Sequence, residues 1–100
     1  MNKLIEKQKL NKKVWEFMKG KVNYYDQKVK LKQHQIERIK VGAEDWFDEP
    51  EFETLVLLCK KLHYYKEQRR EYSKRCKFWK SKYRETSYLI ALDRIPSENT

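Results

Sequence analysis

The sequence predicts an all-α protein, a long antiparallel helical hairpin that resembles a coiled coil. Apolar residues recur every three to four positions over two long segments, fewer than ten residues separate these segments, and only 2 glycines and 2 prolines occur in 100 residues. Such a period is typical of helices that pack on helices, and the scarcity of turn residues argues against turn-rich β folds. We expect one domain, residues 1–95, because two separate cores would need a longer chain.

The first periodic segment predicts a helix over about residues 3–41. Its apolar stripe steps by three and four residues, with one lysine included: Trp15, Met18, Val22, Tyr25, Val29, Lys32, Ile36 and Ile39. A second stripe one residue earlier widens this face: Val14, Phe17, Tyr24 and Leu31. A face this wide can serve more than one neighbouring helix. Gly20, Asn11 and Asn23 are weak helix formers, so a three-helix version is an alternative.

A single pair of helices buries little apolar surface in a chain of this size, which favours self-association. We therefore expect a homo-oligomer, a bundle assembled from several hairpins. Its predicted interface consists of Trp15, Met18, Val22, Tyr25, Val29 and Ile36.

Residues 42–50 are predicted to connect the two helices. Gly42 suits the position just past a helix end, while Asp48 and Glu51 have the spacing of a capping box. The acidic residues here fit the positive end of the following helix dipole better than a metal site, because a calcium loop needs a different spacing.

The second helix is predicted over about residues 51–94, and residues 96–100 are a flexible tail. The three-to-four stepping reappears in one stripe: Leu55, Leu58, Leu62, Tyr65, Arg69, Tyr72, Cys76, Trp79, Tyr83, Thr86 and Ile90. Arg69 is the discordant member of this stripe. We interpret Tyr72, Trp79 and Tyr83 as core residues, since aromatic residues at helical spacing are mostly packed.

The positive charge is concentrated on the helices. The formal net charge is +9, and residues 55–85 hold 11 basic side chains against 3 acidic ones. Uncompensated cations repel one another unless an anion is bound, and phosphate backbones are such anions. The predicted site for nucleic acid or an acidic partner lies on the second helix: Lys66, Arg70, Lys74, Arg75, Lys77, Phe78, Lys80 and Arg84.

The sequence contains no recognised DNA-reading pattern and no catalytic constellation. Long helices argue against a helix-turn-helix, so we expect backbone contacts with weak sequence specificity. Glycine occurs only at positions 20 and 42, which excludes a phosphate-binding loop. Cys59 and His63 are only two potential zinc ligands, too few for a site. We expect neither an enzyme nor a bound metal or cofactor.

These observations lead to two function hypotheses. The first is a non-enzymatic accessory protein that binds nucleic acid or a nucleoprotein complex through its Lys/Arg-rich face. The alternative is a small protein that binds and inhibits a host protein through the same face. Lysine outnumbers arginine 18 to 6, which fits an AT-rich source such as a phage or mobile element.

We expect a cytoplasmic location and no membrane association. The first twenty residues lack the continuous apolar stretch of a signal peptide, and no apolar run approaches the roughly 20 residues of a transmembrane helix. Cys59 and Cys76 lie too far apart along one helix to form a disulfide, so both thiols are expected to be reduced.

Overall fold

The structure is a computed structural model that describes residues 2–42 and 49–94, and all of these residues are helical. Helix α1 spans Asn2–Gly42 and helix α2 spans Glu49–Arg94. The prediction of an all-α helical hairpin is confirmed. Helix α1 continues through Gly20, so the three-helix alternative does not occur. The structure does not describe the side chains of the predicted connection 42–50, of its Asp48–Glu51 capping box or of the tail 96–100. The predictions for these residues stay predictions.

The chain forms two compact units. Unit 1 contains Met1–Gly20 and Tyr72–Thr100, and unit 2 contains Lys21–Glu71. Each unit therefore pairs a segment of α1 with a segment of α2. The segments run antiparallel, since residues late in α2 contact residues early in α1 in unit 1.

Unit 1 is held together by an apolar residue and a buried polar pair. Ile90, Asn11 and Thr86 are all buried. The Asn11 side-chain amide donates a hydrogen bond to the Thr86 hydroxyl at 2.9 Å and another to the Lys82 carbonyl at 3.4 Å. The Thr86 hydroxyl in turn donates to the Lys82 carbonyl at 2.8 Å. Asn11 is therefore a satisfied core residue rather than a weak point of α1.

Unit 2 has an aliphatic core bordered by an ion pair. Val29 and Ile36 are buried, and the rings of Tyr25 and Tyr65 approach to 6.2 Å between centroids. Arg69 Nη1 donates a hydrogen bond to Asp26 Oδ1 at 2.9 Å, which explains how an arginine occupies the apolar stripe of α2. Hydrogen bonds from Lys30 and then from Arg69 hold the pKa of Asp26 below its usual value of 3.8.

Gly20 is a position where a side chain would stabilise α1. A Cβ atom built there meets nothing within 4 Å, and the residue lies inside the helix. Because glycine costs roughly 0.5–1 kcal/mol relative to alanine within a helix, Gly20→Ala should raise Tm by roughly 2 to 8 °C in thermal denaturation followed by circular dichroism. Gln27→Ala, at an exposed position of the same helix, is the control and should change Tm little. A lower Tm for Gly20→Ala would show that α1 depends on glycine there.

Candidate nucleic-acid interface

Two lysines from different helices meet at one tryptophan in unit 1. The half-buried ring of Trp15 stacks on Tyr83 with 5.5 Å between centroids and 29° between planes. Lys19 Nζ lies 5.9 Å from the centre of the Trp15 ring, and Lys80 Nζ lies 6.0 Å from it. Because the two ammonium groups share one ring, they cannot be farther apart than the sum of these two distances. Trp15 thus places a cation of α1 beside a cation of α2.

More cations share this side of unit 1. Lys77 and Arg84 lie three residues before and four residues after Lys80, which is the spacing of neighbours on one helix face. On α1, Lys12 lies two turns before Lys19. We call the whole set the lysine side: Lys9, Lys12, Lys19, Lys77, Lys80 and Arg84.

The lysine side carries a large excess of positive charge. Its six cations are accompanied by a single carboxylate, that of Glu16. None of these seven side chains forms an ion pair with any residue that the structure describes. All of the cations are exposed except Lys80, which is half-buried. The charges are consequently available to an anion in solution.

The structure divides the residues that the sequence predicts for this interface. Lys77, Lys80 and Arg84 lie together on the lysine side. Phe78 precedes Lys80 by two residues, about 200° around a helix, and therefore lies on the opposite side of unit 1. Arg75 lies beside Phe78 on that opposite side, with its guanidinium 5.1 Å from the Tyr72 ring.

The other predicted cations are exposed on α2. Lys74 lies in unit 1, between the two sides just described, while Lys66 and Arg70 belong to unit 2. Neither Lys66 nor Arg70 forms an ion pair within residues 2–42 and 49–94. In unit 2, considered by itself, these two residues are further cations available for binding.

Sequence reasoning missed the contribution of α1 to the lysine side. Lys12 and Lys19 are separated by seven residues, and Lys19 follows Trp15 by four, so their common face could be read from the sequence. The approach of Lys19 and Lys80 to the same Trp15 ring could not be read from the sequence, because it depends on how far α1 is shifted along α2.

The residues of the predicted oligomer interface contribute to the contact between helices inside each unit. In unit 1, Trp15 and Met18 are half-buried. In unit 2, Val22 and Tyr25 are half-buried, while Val29 and Ile36 are buried. That they also contact a second hairpin stays a prediction.

The aromatic residues of α2 differ in exposure. Tyr72, Trp79 and Tyr83 are half-buried, whereas Phe78 is exposed. The Phe78 ring meets that of Trp79 edge-on, with centroids 5.4 Å apart, and Lys82 Nζ lies 5.5 Å from its centre. Phe78 is thus a ring that a binding partner can reach.

The remaining chemistry of the described residues is limited. Cys59 is exposed and Cys76 is half-buried, and both are free thiols. Within the described ranges, no three His, Cys, Asp or Glu side chains are grouped as a metal site would require. Neither described helix contains a stretch apolar enough to cross a bilayer. Comparison with protein-family models, with curated proteins and with solved structures found no match to this chain.

Proposed function

We propose that this protein is a non-enzymatic accessory protein that binds nucleic acid through phosphate contacts made by its lysine side. The observation that carries the proposal is the approach of Lys19 and Lys80 to the same Trp15 ring, with no carboxylate paired to either lysine in the described part of the chain. The packed tryptophan between the helices gives both cations a common contact.

Electrostatics favours an anion at this position. Like charges on one surface repel, because each ammonium group raises the electrostatic potential at its neighbours. A bound phosphate replaces this repulsion with attraction to several cations at once. Nucleic acid offers regularly spaced phosphates, and its binding also releases condensed counterions.

The composition of the lysine side favours backbone contacts over base recognition. Five of its six cations are lysines, which act as point charges, whereas arginine is the residue that recognises guanine with two hydrogen bonds. Trp15 is stacked on Tyr83 and half-buried, so its ring is not a free platform for a base. We therefore propose binding with weak sequence specificity, to which Lys66, Arg70 and Lys74 add further phosphate contacts.

The direct test is a fluorescence-anisotropy titration of labelled single-stranded and duplex DNA and RNA over a series of salt concentrations. We expect saturable binding whose log K falls linearly with log salt, with a slope of about −0.9 for each phosphate contact on a B-DNA duplex. An acidic protein of similar negative charge serves as the comparison ligand. Failure to bind any nucleic acid at low salt would refute the proposal. Binding to the acidic protein alone would favour the alternative, a basic face that docks on another protein.

A further inference from the structure

Unit 1 carries an exposed apolar strip on the side opposite the lysine side. Phe17 precedes Lys19 by two residues, and Phe78 precedes Lys80 by two residues, so both rings point about 200° away from the lysines that meet at Trp15. On α1, Leu10 precedes Phe17 by seven residues, and on α2, Leu89 and Leu92 follow Phe78 by eleven and fourteen residues. These separations are close to whole numbers of helical turns, so each leucine lies on the same helix face as its phenylalanine. We call this set the phenylalanine side: Leu10, Phe17, Phe78, Leu89 and Leu92.

These five side chains are unusually exposed for large apolar residues. Their exposed fractions lie between 44% for Leu89 and 60% for Leu10. Single exposed apolar residues are common on protein surfaces, but several of them on the same side of two paired helices favour association. Here the strip draws on both helices of the unit.

The buried core of the chain is small beside this exposed surface. Among the described residues, Val29, Ile36 and Ile90 are the apolar side chains that are buried. Only Ile90 belongs to unit 1. Association through the exposed strip would add to this apolar burial and so stabilise the folded unit further.

The area of the strip suits a partner with the same pattern. An aromatic side chain contributes about 150–250 Å² when fully exposed, so five half-exposed large side chains supply roughly 500 Å². A standard interface buries about 800 Å² on each partner. The aliphatic stems of Lys82 and Arg75, beside Phe78, can supply much of the difference.

The charges next to the strip are compatible with a second copy of this chain. Lys82 Nζ lies 3.7 Å from Glu85 Oε2 and also approaches the Phe78 ring, while Arg75 lies over Tyr72. These cations therefore have favourable contacts within their own chain. The lysine side has none of this compensation, so two copies meeting there would repel each other. A strip with a seven-residue repeat can also pack against its own repeat as helices in bundles do.

From the strip, the small core and the charge distribution, we infer that the phenylalanine side of unit 1 is a homo-oligomer interface that buries Leu10 and Phe78 against a second copy. This inference does not depend on nucleic-acid binding. It also differs from the interface that the sequence predicts, because Trp15 is packed on Tyr83 inside the unit.

The test measures self-association of the full chain by sedimentation velocity across a wide range of protein concentration. The wild type should sediment as a dimer or larger species that dissociates on dilution. Leu10→Glu and Phe78→Glu should each weaken this association by at least about tenfold in Kd, since a carboxylate would replace an apolar contact. Helicity by circular dichroism should persist at low concentration, because both positions are exposed in the single chain.

Two further variants make the test specific. Tyr64→Glu alters another exposed aromatic residue of α2, 54% exposed but in unit 2 rather than unit 1, and should leave association unchanged. Phe78→Leu keeps an apolar side chain and should retain association. A wild type that stays monomeric at high concentration overturns the inference and leaves the strip to a different partner. A dimer that survives both glutamate variants overturns it as well.

Discussion

Val29→Asp should unfold the protein at temperatures where the wild type is folded. The Val29 side chain is 1% exposed and is the most completely buried side chain of the described core. An aspartate there would place a carboxylate in an apolar site, and an uncompensated buried charge costs roughly 3–5 kcal/mol. This loss is comparable to the roughly 3–5 kcal/mol that a single small hydrophobic core supplies. Circular dichroism at 222 nm should show it as loss of the helical signal.

The control for this variant is Gln33→Asp, which adds the same residue four positions later on the same helix. Gln33 is exposed, so the substitution should change stability by no more than about 0.5 kcal/mol. Because Val29 packs within one chain, the destabilisation should not diminish as protein concentration rises, as it would if the contact formed only on assembly. A folded, monomeric Val29→Asp protein would contradict the observed packing of unit 2.

Neutralising the α2 part of the lysine side should abolish most of the proposed nucleic-acid binding. The variant Lys77→Gln, Lys80→Gln, Arg84→Gln removes three charges and introduces none that could pair with Lys19. If each cation contacts one phosphate, the slope of log K against log salt should fall in magnitude by about 2 to 3 on duplex DNA. Affinity at low salt should fall for every sequence alike, since phosphate contacts carry no sequence information.

A second triple variant separates a local site from a general effect of net charge. Lys3→Gln, Lys7→Gln, Arg75→Gln removes the same charge from exposed positions of unit 1 that lie off the lysine side. We expect a much smaller change in slope for this variant. Equal losses for the two triple variants would show diffuse attraction to a basic protein and would contradict the assignment of the site. Circular dichroism should verify that both variants remain helical.

The helices and most of the core could be predicted from the sequence because both depend on local periodicity. Val29, Ile36 and Ile90 all belong to the stripes that the three-to-four spacing identifies. Burial on a helix follows from angular position, and angular position follows from residue number.

The features that could not be predicted arise from contacts between residues far apart in the sequence. Asn11 is a poor helix former by propensity, and only its distant acceptor Thr86 explains its place in the core. Arg69 is an exception in the apolar stripe of α2, and only its ion pair with the distant Asp26 explains its position there. The approach of Lys80 to Trp15 is of the same kind. In each case periodicity gives the face of the residue but not the level at which it meets the other helix.

The buried Asn11–Thr86 hydrogen bond has a consequence for misfolded forms of the hairpin. Apolar stripes tolerate slippage, because a leucine or tyrosine finds another apolar neighbour one turn, about 5.4 Å, farther along. Asn11 cannot slip in this way, because its buried side-chain amide would lose both of its acceptors on α2, the Thr86 hydroxyl and the Lys82 carbonyl. An unsatisfied buried polar group costs about 1–3 kcal/mol, so a helix pair shifted by one turn should be disfavoured by at least roughly fivefold. This single polar pair thereby reduces the population of mispaired chains, at some expense in the stability that two leucines would provide.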